Sequence, residues 1–463
     1  MTRDTAIAAA TDRFDSGAFL DDLAGLVAIP SESQNPDAAP ALHRYLVEGM
    51  VPRLAAMGFT TEILPNSVAS RGPFLLAERH EGDHLPTVLT YGHGDAIRGQ
   101  EGLWRDGLQP WTMTIEGDRI YGRGTADNKG QHLLNLTALE VVLQTRGSLG
   151  FNLRVLIETG EEAGSPGLHD FFLAERDRLM ADVLIASDGP RLRIDRPTLF
   201  MGARGGLIMD LSVHYREGGH HSGNWGGLLA DPGLILAHAL ATITDKTGAI
   251  QIPEWRPTSL TNSVRAALAD CPVEAPETGP EIQDWWGEPG LTRAEKVYGW
   301  NSFCVLAYEC GIPAEPVNAI APKAWARTQL RYVVGTDRDE IIPALRRHLD
   351  AHGFDMVRIA EGREVEFTAT RLDPDNPWAR WAIASVARTT GAQPAVLPNL
   401  GGSLPNEEFT DTLGMPTIWV PHSYTGCSQH APNEHALKPI FREGLAIMAG
   451  IWWDLGEGGT PPR

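Results

Sequence analysis

Apolar residues recur along the chain with two different spacings, and the alternation of those spacings predicts its elements. Between Arg13 and Ile29, and again between Pro40 and Met57, they fall three and four positions apart, which gathers them on one face of an α-helix. The second run stops at Gly58, a residue suited to a helix C-terminus. The run Thr87-Val88-Leu89-Thr90-Tyr91 reads instead as a buried strand leading into Gly92 and Gly94. Helix is predicted from Gly130 to Leu143 and from Gly167 to Phe172, with short apolar strands at Leu153 to Glu158 and Val183 to Ala186. This alternation predicts an α/β fold, a mostly parallel central sheet flanked by helices, with ligands gathered beyond the strand ends.

From Gly206 the pattern changes. Leu207 to Val213 looks like a strand of another sheet, followed by a helix from Gly233 to Thr244, an alternating strand at Thr328 to Val334 and a helix from Asp339 to His352. Ile252 to Gly290 is rich in Pro, Glu and Trp without a clear period, and Trp285 and Trp286 within it receive no assignment. Helix resumes from Asn376 to Thr390, and Thr417 to Val420 is a further apolar strand. The expected organisation is one domain in two parts, residues 1–205 and 373–463, with an α+β domain inserted at residues 206–372.

A chain of 463 residues exceeds what one hydrophobic core usually supports, which agrees with two domains. Its net charge of -20 argues against a nucleic-acid partner, since phosphate backbones are met by clustered Lys and Arg. No apolar run reaches the roughly 18 residues of a membrane span, and no apolar leader is visible, so no membrane role and a cytoplasmic location are expected. The four cysteines, Cys271, Cys304, Cys310 and Cys427, form no CxxC pair, so neither a disulfide framework nor a thiolate metal site is suggested. Cys427 stands close to His430, which keeps a thiol hydrolase in view as an alternative.

Five short segments hold the chemistry: Gly92-His93-Gly94-Asp95, Ala126-Asp127-Asn128-Lys129, Glu161-Glu162-Ala163-Gly164, Ser187-Asp188-Gly189 and Gln429-His430-Ala431-Pro432. Histidines and carboxylates together suit zinc, which takes nitrogen and oxygen ligands and often keeps an open position for water. A carboxylate can bridge two cations, a histidine needs an acceptor to fix its tautomer, and an unligated carboxylate can take a proton from water. Taken singly each segment is ordinary: a turn, a surface pair of glutamates, a strand-end histidine.

Their order and spacing together resemble the zinc metallopeptidase family of carnosinases, aminoacylases, glutamate carboxypeptidase and succinyl-diaminopimelate desuccinylase. The resemblance spans nearly the whole chain and rests on an H-x-D segment, a G-R-G-x-x-D-x-K-G segment from Gly122 to Gly130, a Glu-Glu pair, a later Asp and a histidine near the C-terminus. It implies two Zn2+ per subunit, with Mn2+ or Co2+ as substitutes. His93, Asp127 and Asp188 would bind one ion, and Asp127, Glu162 and His430 the other, with Asp127 bridging. Asp95 would orient His93, and Glu161 would be the general base. The family also places a cis peptide after its bridging aspartate, here Asp127-Asn128.

Further segments resemble the dipeptidase, carnosinase-like branch: His221-Ser222-Gly223, Asn318 with Arg331, and Gly401-Gly402-Ser403-Leu404-Pro405. The resemblance implies a homodimer whose inserted domain serves as lid and dimerisation domain and lends His221 to the neighbouring subunit's oxyanion. It also implies that Arg331, helped by Asn318, Gly402 and Ser403, clamps a substrate carboxylate, although Arg327 on the same strand competes for that task. Ala96 and Ile97 depart from the residues common after H-x-D, which bears on substrate identity. The implied activity is hydrolysis of an amide bond in a dipeptide. An N-acyl amino acid deacylase is the alternative, and a non-catalytic binding protein on the same fold is the alternative of a different class.

Overall fold

A computed structural model describes residues 2–273, 281–362 and 367–461. The largest sheet has eight strands, in the spatial order Thr60–Leu64, Phe74–Arg79, Asn152–Glu158, Thr87–His93, Val183–Ala186, Thr417–Trp419, Thr198–Phe200 and Ala395–Leu397. Its centre, from Asn152–Glu158 through Thr417–Trp419, is parallel, and antiparallel pairing enters toward both edges. Val88, Leu89 and Tyr91 are buried, and so are all four residues of Val183–Ala186, as expected for strands covered on both faces.

Chain and core cluster divide this molecule into two compact units. The first comprises residues up to Gly202, Leu372–Leu400 and everything from Pro405; the second is Ala203–Arg371 with Gly401–Leu404. In the first unit the helix Lys129–Arg146 is buried along nearly its whole length between the sheet and the helix Lys438–Gly456. The helix Arg3–Asp15 is tied to the latter by Arg3, whose Nε and Nη2 donate to the Asp454 carboxylate at 2.7 and 3.0 Å.

The second unit is built on an antiparallel sheet ordered Ser302–Cys310, Lys323–Tyr332, Gly205–His214, Arg358–Glu361. Leu207, Met209, Leu211 and Val213 alternate along one strand and bury against Leu236, Ala239 and Ile243 of the helix Pro232–Ile243 and Leu345 and Leu349 of the helix Ile341–Ala351. Gly401–Leu404 groups here because Arg204 donates its backbone N–H to the Gly402 carbonyl and accepts the Ser403 hydroxyl on its own carbonyl.

Most predicted elements are present within a few residues of their expected ends. The helix expected from Arg13 to Ile29 is instead two, Arg3–Asp15 and Ala18–Val27, because Gly17 at φ 87° turns the chain between them. The stretch Ile252 to Gly290 contains a helix at Asn262–Ala269, and its residues 274–280 lie outside the described residues. Trp285 and Trp286 meet edge to face, with ring centres 5.6 Å apart. Among the described residues no helix is long and apolar enough to cross a membrane.

Candidate metal centre

The strand Thr87–His93 delivers His93 at its carboxyl end, where the neighbouring parallel strands deliver Glu158 and the segment before Asp188. The flanking glycine is required by space: a Cβ on Gly94 would lie 2.3 Å from the Tyr45 ring. The loop before the helix Lys129–Arg146 presents Asp127 through a cis Asp127-Asn128 peptide. The helix's first turn anchors this loop. The Gln131 amide donates to the carbonyls of Ala126 and Gly189, and Lys129 Nζ donates to the carbonyls of Leu26 and Ile29.

These segments bring two groups of donors together. His93, Asp127 and Asp188 form one, and Asp127, Glu162 and His430 the other; within each, one ligand atom per residue lies within 4.8 Å of the rest. The shared Asp127 turns one oxygen to each side. Its Oδ1 is 3.0 Å from His93 Nε2, and its Oδ2 is 3.1 Å from His430 Nε2, which in turn is 3.0 Å from Glu162 Oε2. Glu161 belongs to neither group, and its Oε2 stands 4.0 Å from His93 Nε2. His430 has a left-handed backbone, φ 59°, and is the more exposed of the two histidines.

Asp95 is fully buried and does two things at once. Its Oδ1 faces His93 Nδ1 at 3.3 Å, and its two oxygens accept the backbone N–H groups of Glu161 and Glu162 at 3.3 and 3.1 Å. Glu434 does similar work for the Asp127 loop. Its Oε1 accepts the N–H groups of Gly124, Ala126 and Asp127 at 3.0, 3.0 and 3.1 Å, while its Oε2 accepts from Arg123 at 2.8 Å. Gln429 also donates its side-chain amide to Asp127. Sequence reasoning missed Glu434 and Gln131 and gave Gln429 no role of its own beside His430; such residue types are common on surfaces, and their positions near the ligand segments were the available signal.

Negative charge dominates this region. Burial, with Asp127 and Asp95 as neighbours, raises the carboxyls of Glu162 and Glu158 to about 7 and that of Asp188 to about 6. Burial and the surrounding carboxylates also push Glu161 well up. Asp127 goes the other way despite its burial, held below the usual carboxylate range by His430 and His93. Asp188 Oδ2 is buried without a hydrogen-bond partner. Buried carboxylates in excess of cationic partners are costly, and divalent cations offset them. One imidazole and two carboxylates per group are the nitrogen and oxygen donors that zinc, manganese or cobalt accept. The residues present fit a divalent metal.

The other predicted residues lie in the second unit. His221 and Asn318 are both exposed and adjacent: His221 pairs with Ala319, and the Asn318 carbonyl accepts the Ser222 N–H. Arg331 donates to Ser403 Oγ at 2.6 Å, and Gly402 is exposed beside it in sequence. Arg327 is engaged elsewhere, pairing with both oxygens of Asp210 at 2.9 and 3.0 Å. Cys427 is buried, and burial raises its thiol to about 11, so it holds no ready thiolate.

The chain is 30% identical to the Beta-Ala-His dipeptidase of Rattus norvegicus over 466 residues, covering 95% of this chain and 93% of that protein. Its fold is shared with an M20 family metallo-carboxypeptidase from Sulfolobus solfataricus, with a TM-score of 0.79, 23% identity, and coverage of 95% and 99% of the two chains. It is shared also with the di-peptidase Dug1p from Saccharomyces cerevisiae, with a TM-score of 0.76, 21% identity, and coverage of 99% and 100%. The model for Peptidase family M20/M25/M40 matches residues 89–454, a stretch that takes in both donor groups, and on that match the chain belongs to this family of metal-dependent hydrolases.

Proposed function

We propose that the protein is a dinuclear metallodipeptidase, hydrolysing the amide bond of a small substrate with a free carboxylate. The observation that carries this reading is the shared Asp127, with one oxygen turned to each donor group. His93, Asp127 and Asp188 would hold one ion and Asp127, Glu162 and His430 the other, with zinc, manganese and cobalt all suited to these donors. A divalent metal bound there would supply Lewis acidity toward the substrate carbonyl and an attacking water. Glu161, outside both donor groups, takes the proton from that water and passes it to the leaving amine. Asp95 keeps the His93 ring oriented and the Glu161-Glu162 turn in place.

Arg331 binds the substrate carboxylate, supported by Ser403 and Gly402, with Asn318 assisting. Its competitor Arg327 is occupied by Asp210, which favours Arg331. We also propose a homodimer in which His221 of one copy steadies the oxyanion in the other, which its exposure permits. The test is a screen of metal-free protein, reloaded with zinc, manganese or cobalt, against dipeptides and N-acetyl and N-succinyl amino acids. Dipeptide turnover with two ions bound per chain is expected. Turnover confined to N-acyl amino acids would overturn the substrate assignment, and undiminished activity in the metal-free protein would overturn the mechanism.

A further inference from the structure

Among the described residues, three of the four buried arginines pair with acids. Arg123 has Glu434, Arg3 has Asp454, and Arg191 has Glu443. Arg204 is only 6% exposed, yet among the described residues no carboxylate pairs with it, and its Nε has no hydrogen-bond partner. Burial, and the positive charge of Arg331 nearby, lower its pKa to about 10. Arg331 likewise has no acid among the described residues; its guanidinium donates to the neutral Ser403. Two guanidinium groups set close together without an anion repel each other, and a chain of net charge -20 has no shortage of acids with which to separate or pair them.

The hydrogen bonds explain how the pair is held. Arg204 Nη2 donates to Ser302 Oγ at 2.8 Å and to the Arg331 carbonyl at 3.1 Å. The Arg204 carbonyl accepts Ser403 Oγ at 2.8 Å, and Ser403 Oγ accepts Arg331 Nη1 at 2.6 Å. The circuit closes on itself, so Arg331 is fixed at its backbone by one arginine and at its guanidinium by a serine resting on that same arginine. Gly206, paired with Arg331 across the sheet, leaves the guanidinium room, since a Cβ there would lie 3.3 Å from Nη1.

We propose that Arg204 is a positioning residue for anion recognition, holding Arg331 and Ser403 in place and adding a second positive charge to a paired-guanidinium site for the substrate's carboxylate. This rests on the carboxylate reading given above. The experiment compares kcat/KM for a dipeptide and for the same dipeptide with its C-terminus amidated, in the wild type and in Arg204→Gln, Arg204→Lys and Arg331→Gln. The wild type should prefer the free acid. Arg204→Gln should lower the acid-to-amide ratio about tenfold, chiefly through KM for the acid, and Arg204→Lys, which keeps the charge but not the forked donors, should fall between. The ratio cancels a general loss of folded enzyme, and Arg204→Lys carries the test if Arg204→Gln does not fold. A wild-type ratio in the Arg204 variants, with the ratio collapsed in Arg331→Gln, would overturn the role of Arg204 and leave the carboxylate reading standing. No preference in the wild type and none lost in Arg331→Gln would overturn that reading itself.

Discussion

Glu434 is the residue whose replacement separates the support of the site from its chemistry. Glu434→Gln keeps shape and removes charge. If its amide oxygen stays on the N–H groups of Gly124, Ala126 and Asp127, its NH2 is driven against Arg123, donor facing donor; if it turns over, the three N–H groups lose their acceptor. Arg123 is fully buried over the Trp104 ring, and its Nε and Nη2 have no hydrogen-bond partner, so its charge is left without a carboxylate in either orientation. Breaking a buried pair in this way costs about 3–5 kcal/mol. For a protein of 463 residues, whose unfolding entropy is about 1 kcal/mol/K, that corresponds to a fall in Tm of about 3–5 °C. Because the Asp127 N–H is one of the three, kcat and metal content should fall as well. The assays are calorimetric melting of metal-free and metal-loaded protein, metal analysis and kcat. Adding Arg123→Met should recover much of the Tm while kcat stays low, since the stranded charge goes but the loop is still unheld. A single variant that melts within about 2 °C of the wild type with full kcat would refute the assignment of Glu434 as the loop's anchor.

Three further expectations follow from the same geometry. Glu161→Gln should lower kcat about 10²- to 10⁴-fold with metal content unchanged by elemental analysis, and loss of the metals together with activity would make it a ligand rather than a base. Chelation should abolish activity that added metal restores, whereas Cys427→Ala should keep it; an inactive, folded Cys427→Ala would revive the thiol mechanism. His422 is buried with no partner on either ring nitrogen, and burial together with Arg191 holds its pKa well below 6.5. The unfolded chain therefore takes up a proton that the folded one refuses. The stability contributed is present above about pH 6.5 and is lost as pH falls, by up to about 1.4 kcal/mol per pH unit. Urea denaturation of metal-free His422→Leu between pH 5 and 7.5 should show a shallower acid decline, and an unchanged slope would sink this account.

What was legible in the sequence was local. The strand ending at His93 and the segment from Gly122 to Gly130 each announce a strand-end or loop display, and the resemblance carried by the order and spacing of the motifs gathered the donors His93, Asp127, Glu162, Asp188 and His430 into one hypothesis. The helix Lys438–Gly456 went unread because it is buried nearly all round, from Ile440 to Leu455, and so lacks the one-sided spacing that marks a helix. The strand Ser302–Cys310 was missed for the opposite reason: it is exposed over much of its length and lacks a buried alternating face. Glu434 and Arg204 were not identified because their meaning depends on partners distant in the chain, three backbone N–H groups in one case and Ser302 and Arg331 in the other. No pattern within a short window carries such information.

The double attachment of Asp95 makes His93 and the Glu161-Glu162 turn parts of one lever. Lengthening that side chain by a methylene, as in Asp95→Glu, cannot shift the imidazole alone, because the same carboxylate would push the backbone N–H groups of Glu161 and Glu162 that it accepts. Displacements of the ring and of the turn are therefore correlated, and variation at this position moves several roles of the site in step. A laboratory search for altered metal preference would find the neighbourhood of Asp95 nearly rigid and the more exposed His430 side the place where single changes can act independently.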